Sequence, residues 1–174
     1  MSTLDEFLEA LLHRVTDIER RHANMAVKGT VHEVNAEKQV ARLKTGVDDD
    51  GKDVLGPWVP YAQVAGAMKI HSPPSVGQQM IAFNPSGEPR QGVLLPFTWS
   101  DNNQSPSTSG NEHVLTFGGI KVKVEGGKIT VDGKVVFNGE VHVGGEGGKA
   151  VHRKDDLDSD GDAAVGCATK LFAN

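Results

Sequence analysis

Three consecutive six-residue units near the end of the chain constrain its fold more than any other feature of the sequence. They start at Ile129, Val135 and Val141. In each unit the first and third residues are apolar, the fourth and fifth are Asp-Gly, Asn-Gly or Gly-Gly, and the sixth is charged. A three-residue strand with one apolar edge cannot close a core, although burying each of its side chains contributes about 1.5–3 kcal/mol. The pattern therefore predicts that several chains wind together around a shared apolar axis.

The residues expected to face this axis are the first and third of each unit. We expect three intertwined chains to form a β-helix over residues 113–149 and to bury, as the trimer core, Ile129, Val131, Val135, Phe137, Val141 and Val143. A looser copy, Ile120-Val122-Val124 followed by Gly126-Gly127, precedes the three units. The alternative, a glycine-rich stack of hairpins in a monomer, leaves the apolar edge in water.

An amphipathic helix is predicted over residues 3–22, within an N-terminal segment 1–24. Thr3 and Glu6 have the spacing of a capping box. Apolar residues follow with heptad spacing at Leu4, Leu8, Leu11, Val15 and Ile18. Three heptads are too few for a stable isolated coiled coil. Two interpretations stay open: a helix packed on its own domain, or one that self-associates or docks on a partner.

A small β-barrel is predicted over residues 25–99, followed by a polar linker over 100–112 that has no apolar anchor. Short strands separated by turns rich in glycine and proline are typical of such barrels, with the OB-fold as the natural candidate. The predicted strands cover 27–34, 39–45, 58–61, 79–83 and 92–97, and a polar loop covers 46–53.

The composition excludes several classes of protein. A net charge of −5 and a pI near 5.8 argue against binding nucleic acid through its phosphates. A single cysteine, Cys167, excludes an internal disulfide framework. The first residues have neither the basic start nor the apolar core of a signal peptide, so none is expected.

With its helix, barrel, linker and hexads in this order, the chain resembles the baseplate assembly protein V family. Members of this family form the central tail spike of contractile-tailed phages and related contractile injection systems. The resemblance runs between residues 20 and 145 and is densest from Ser72 to Ser107. Its motifs there are Pro74-Ser75-Val76-Gly77-Gln78-Gln79-Met80, Gly87-Glu88, Gly92-Val93-Leu94-Leu95-Pro96 and Asp101-Asn102-Asn103-Gln104-Ser105-Pro106-Ser107.

This resemblance implies a mainly β homotrimer with an OB domain above a β-helical needle. It also implies a structural role in the virion tail baseplate, assembled in the bacterial cytoplasm with hub and wedge proteins. On contraction the needle pierces the host outer membrane, with which its contact is transient. No nucleic acid is an expected partner.

Residues 150–174 are expected to form the tip, and their end resembles part of a PAAR-type tip. Many members of the family hold an iron ion through a His-x-His motif that this chain lacks. His142 takes an outward position in its hexad, so we expect no axial metal there. Candidate ligands are Asp156, Asp158 and Asp160 for a hard cation, and His152 and Cys167 for a softer one. Either one metal ion shared by three chains or a separate PAAR-like protein completes the tip.

No enzymatic activity is expected. The stretch from Trp99 to Val114 is too short to hold an inserted glycosidase domain with its carboxylate pair. Two alternatives remain: a trimeric hexapeptide-repeat acyltransferase, which needs many more hexads, and an OB-fold that binds single-stranded nucleic acid. The second requires a groove with basic and aromatic residues that the barrel sequence lacks.

Overall fold

The computed structural model describes residues 3–142 of the chain. It separates into two compact units, divided between Thr108 and Ser109. The predicted N-terminal helix and the mainly β, OB-like architecture are confirmed. The predicted trimeric β-helix is not shown by a single chain. Val143 and the predicted tip, 150–174, lie outside the described residues.

The helix α1 runs from Leu4 to Asn24 and begins with the predicted capping box. The Thr3 backbone N–H donates to the Glu6 carboxylate at 2.8 Å, and the Glu6 N–H donates to the Thr3 hydroxyl. These bonds satisfy backbone donors that the first turn of a helix otherwise leaves unpaired. No residue of α1 is buried. None of the helices within residues 3–142 combines the length and apolar content needed to cross a membrane.

Six antiparallel strands form the sheet of the first unit. They are β1 Ala26–Asn35, β2 Val40–Val47, β3 Asp53–Leu55, β4 Val59–Pro60, β5 Gln79–Phe83 and β6 Val93–Pro96. The strand order is β3-β2-β1-β5-β6, and β4 pairs with β2. Directly after β4, Tyr61 bridges to Leu94 of β6, so the sheet closes on itself as a barrel.

The barrel core follows from alternation along the strands. In β2, Ala41 and Leu43 are buried while their neighbours are more exposed, as expected where one face of a strand meets a core. The buried set is Val31, Ala41, Leu43, Val59, Tyr61, Met80 and Leu94, with Val34 and Ala82 packed against it.

Two details of the barrel differ from the sequence-based expectation. β3 begins at Asp53, the last residue of the predicted polar loop, and pairs with β2 at the sheet edge. The predicted linker is also fastened at its start, because Asn103 Nδ2 donates to the Gly77 carbonyl at 3.1 Å. Short polar segments are therefore ordered by hydrogen bonds to the barrel. The pattern of hydrophobic residues in the sequence does not predict such bonds.

The second unit is a three-stranded antiparallel meander of β7 Glu112–Phe117, β8 Ile120–Glu125 and β9 Lys128–Asp132. Gly-Gly turns join the strands, and all four glycines have φ between 51° and 86°. Two-residue hairpin turns of this kind require positive φ at both positions, which glycine adopts without strain. The Ile120-Val122-Val124 copy is thus one six-residue strand rather than a three-residue strand and a corner. Residues 133–142 contain no strand.

Candidate assembly surfaces

The register of the meander places its apolar residues on one face. Val122 lies opposite Leu115 on one side and Val131 on the other. Residues directly opposite in antiparallel strands project to the same side of a sheet. The apolar face defined by this register consists of Leu115, Phe117, Ile120, Val122, Val124, Ile129 and Val131, with His113 at its edge.

Within the described residues of the second unit, nothing buries this apolar face. Phe117 is 86 % exposed, and Leu115 and Ile129 are each 69 % exposed. Contiguous exposed apolar surface of this kind marks an interaction site. Two of the predicted trimer-core residues, Ile129 and Val131, belong to it.

The opposite, charged face of the same sheet carries Glu112, Lys121, Lys123, Glu125, Lys128 and Asp132, together with Val114, Thr116 and Thr130. Lys123 Nζ lies 2.6 Å from Glu125 Oε1 and 3.8 Å from Glu112 Oε2. The hydrogen bond from Lys123 lowers the pKa of Glu125, and the same bond raises the pKa of Lys123. One face is therefore suited to water and the other is not.

The remaining predicted core residues are not gathered into a strand. Val135, Phe137 and Val141 are exposed in the stretch that follows β9. Gly133 and Gly139, at the corners of the hexads, have φ of 131° and 146°. These three apolar side chains thus lie in a segment whose backbone pairs with no strand within residues 3–142.

The metal candidates lie mostly beyond the described residues. His152, Asp156, Asp158, Asp160 and Cys167 all fall there. His142 is half exposed, and its Nε2 lies 3.5 Å from Glu140 Oε2. Within residues 3–142 no three His, Cys, Asp or Glu side chains are grouped so that they could hold a metal ion.

The outer surface of the barrel carries charges of both signs side by side. Lys44 Nζ lies 2.5 Å from Asp53 Oδ1, and His32 Nδ1 lies 3.7 Å from the other oxygen of Asp53. Arg42 lies over the Trp58 ring at 5.7 Å. Paired charges do not form the positive groove along which a single-stranded nucleic acid runs.

A cavity of about 260 Å³ opens beside the barrel core, between Leu43 and Leu94. None of its lining residues is ionisable, so it offers no acid, base or charged nucleophile. Asn84, one of its polar lining residues, is 2 % exposed and donates through Nδ2 to the Asn24 carbonyl at 2.6 Å. Asn84 thus attaches the end of α1 to the barrel.

The barrel defines an OB domain, and comparison with protein families identifies its class. Residues 27–99 match the family described as the type VI secretion system/phage-baseplate injector OB domain. The match covers β1 from Val27 to the end of β6 and confirms the resemblance to the baseplate assembly protein V family. It indicates a structural role in a baseplate. No curated protein matches the chain.

Leu115 and Phe117 were not among the predicted assembly residues. The signal is present in the sequence, since His113, Leu115 and Phe117 alternate with Val114 and Thr116 directly before Gly118-Gly119. Alternation that ends in a two-residue glycine turn is typical of a hairpin strand.

Proposed function

We propose that the protein is the non-enzymatic central spike of a contractile tail baseplate. It acts as a homotrimeric needle that nucleates baseplate assembly and pierces the host outer membrane on contraction. The observation that carries the proposal is the apolar face of the meander, in a chain that also contains a baseplate-injector OB domain.

Covering the apolar face requires more than the residues described in one chain. Full burial of each aliphatic or aromatic side chain contributes about 1.5–3 kcal/mol. Three copies related by a threefold axis turn their apolar faces inward and keep their charged faces in water. A closed ring of identical interfaces also leaves no copy of the apolar face exposed.

In the hexads, the three chains again turn their apolar residues towards the common axis. Each has only one apolar edge, so three chains at a common axis bury Val135, Phe137 and Val141 where one chain cannot. The absence of a ladder in residues 133–142 of the single chain accords with strands that pair between chains. Such interlaced strands resist unfolding, because many side chains must leave the axis together.

The partners follow from the same role. Hub and wedge proteins of the baseplate contact the OB domain, and the tip, 150–174, is completed by a metal ion or by a PAAR-like protein. Contact with the host outer membrane is transient and mechanical. A spike with this task needs no catalytic residues.

The two alternatives receive less support. An acyltransferase built from hexapeptide repeats needs successive coils of short parallel strands, whereas β7–β9 are antiparallel. A binder of single-stranded nucleic acid needs a groove of unpaired basic residues. On the barrel, Lys44 lies beside a carboxylate, and Arg42 lies near a carboxylate and over the Trp58 ring. Acetyl-CoA turnover and fluorescence anisotropy with single-stranded DNA at low salt should both give no signal.

A pair of adjacent substitutions tests the use of the apolar face. Val131→Asp places a carboxylate on that face, whereas Thr130→Asp places one on the charged face opposite Lys123. We expect light scattering after size exclusion to give a trimer for Thr130→Asp and a smaller species for Val131→Asp. Trimers of equal stability in both variants would contradict an inward apolar face.

The biological role is tested in the cell that produces the particles. Contractile particles purified from cells with a tagged chain should show it on the tail axis at the baseplate by cryo-electron microscopy. Deletion of its gene should abolish assembled baseplates. Normal, contractile tails assembled without the chain would overturn the proposal.

A further inference from the structure

The helix α1 presents an apolar surface that the first unit does not cover. Leu4 is 72 % exposed and Leu12 is 67 % exposed. The other large apolar side chains of the helix are also exposed: Phe7, Leu8, Leu11, Val15 and Ile18. The surface runs along most of the helix and stops near its attachment to the barrel.

The attachment fixes the direction in which α1 leaves the barrel. Asn84 donates through Nδ2 to the Asn24 carbonyl at 2.6 Å and through its backbone N–H to the Met25 carbonyl at 2.8 Å. Gly87 packs so closely that a Cβ there would collide with the Arg21 carbonyl. The end of the helix is therefore held, while the apolar residues from Leu4 to Ile18 are left free.

The heptad positions of α1 indicate what covers this surface. With Leu8 and Val15 at position a, the d positions are Leu4, Leu11 and Ile18. In parallel coiled coils a g residue lies beside the e residue five positions further along the neighbouring helix. The g and e pairs of α1 are then Phe7 with Leu12 and Arg14 with Glu19.

Both pairs suit a second copy of the same helix. Phe7 and Leu12 extend the apolar contact on either side of the a and d positions. Arg14 and Glu19 carry opposite charges, and neither forms an ion pair within residues 3–142. In contrast, Arg20 and Arg21 already bind Asp17 of their own helix, at 2.8 and 2.7 Å.

We propose that the α1 helices of three chains form a parallel, in-register coiled coil. The proposal rests on the proposed homotrimer, which sets the helices parallel. Trimerisation also supplies the high local concentration that a helix of three heptads needs to associate. The occupant of the apolar surface is thus the same surface of the other two chains, rather than a baseplate protein of different sequence.

Cysteine cross-linking in the full chain tests this arrangement. Val15→Cys places a thiol at position a, and Thr16→Cys places one at position b, directly adjacent but turned away from the seam. Both variants carry Cys167→Ser, so that each chain has one thiol. Mild oxidation should link most Val15→Cys chains, up to two of every three in a trimer, and few Thr16→Cys chains.

The outcomes separate this proposal from the proposed function. Equal linking of the two variants, or no linking of Val15→Cys, in a protein that sediments as a trimer would overturn the coiled coil and leave the spike intact. A protein that sediments as a monomer would overturn both.

A charge exchange distinguishes self-association from docking on another protein. Arg14→Glu alone and Glu19→Arg alone each create like-charge pairs between neighbouring chains. Each should lower the Val15→Cys cross-linking yield several-fold, with helix content checked by circular dichroism. The double exchange should restore the yield. A double variant that links no better than the single variants would overturn the parallel pairing.

Discussion

Val122 and Lys123 are neighbours in the chain but project from opposite faces of the same three-stranded sheet. Val122 lies between Leu115 and Val131, whereas Lys123 lies 2.6 Å from Glu125. The alternation separates the meander into a charged face and an apolar face that is largely exposed in the single chain. This separation supports the proposed homotrimer, which would bury the apolar face.

Within the hexads, Phe137 and Val136 form a matched pair for mutation. Phe137 takes the third position of its unit, predicted to face the axis, and Val136 takes the second, predicted to face outward. Phe137→Asp would gather three carboxylates in a region of low dielectric constant, where charges are costly. We expect Phe137→Asp to fail to trimerise and Val136→Asp to trimerise like the parent chain. Size exclusion with light scattering distinguishes them, and an intact Phe137→Asp trimer would place Phe137 away from the axis.

The ion pair between Lys123 and Glu125 predicts that the stability of the fold depends on pH. The pKa of Glu125 lies below its ordinary value of 4.5, so this group stabilises the fold fully above pH 4.5 and loses that contribution as the pH falls through its folded pKa. The pKa of Lys123 lies above 10.5, so its contribution is lost only as the pH rises beyond that value. Glu125→Gln should therefore reduce the loss of thermal stability below pH 4.5. Glu37→Gln, with the same charge change in the turn before β2, is the control. Identical acid sensitivity in Glu125→Gln and the parent chain would contradict the role of the pair.

Two glycines of the barrel test how closely β1 and β2 pack. A Cβ at Gly29 would lie 2.5 Å from the Lys44 carbonyl oxygen, whereas a Cβ at Gly46 would meet nothing within 4 Å. Gly29→Ala should lower the free energy of unfolding by about 1–3 kcal/mol, as forced overpacking does. Gly46→Ala should be neutral or slightly stabilising, because alanine has fewer unfolded conformations to lose. Urea unfolding measures both, and equal stabilities would show that the strands separate easily at Gly29.

For the tip, we predict that the purified trimer holds one tightly bound metal ion per three chains. A single ion shared by three chains would tie them together where little apolar core remains. Elemental analysis before and after treatment with a chelator measures this. Metal-free protein that nevertheless keeps its trimeric mass would favour the separate PAAR-like cap.

The barrel was largely predictable because its strands alternate over several residues. The predicted strand at 79–83 coincides with β5, and the alternation that buries Ala41 and Leu43 is visible in the sequence. β3 was missed because its three residues begin with Asp53 at the end of an acidic loop and depend on pairing with β2. Its order comes from pairing with β2 across the short loop between the two strands, not from a periodic pattern of its own.

The candidate site was predicted only in part, for a different reason. Ile129 and Val131 lie on the apolar face of the meander, and their burial in a trimer core stays a prediction. The Gly126-Gly127 pair was interpreted as a β-helix corner, whereas it forms a hairpin turn. Both structures use glycine at positive φ, so the residue type does not separate them. The proposed burial of Val135, Phe137 and Val141 requires other chains, and one sequence does not show how many copies surround an axis.

Sedimentation equilibrium of the unmodified chain in native buffer tests the proposed homotrimer. The chain mass is 18.5 kDa. We expect one species of three times that mass, unchanged on dilution through the micromolar range. A species of a single chain mass at micromolar concentration would contradict it, because the apolar face of the meander would then be stable in water without a partner.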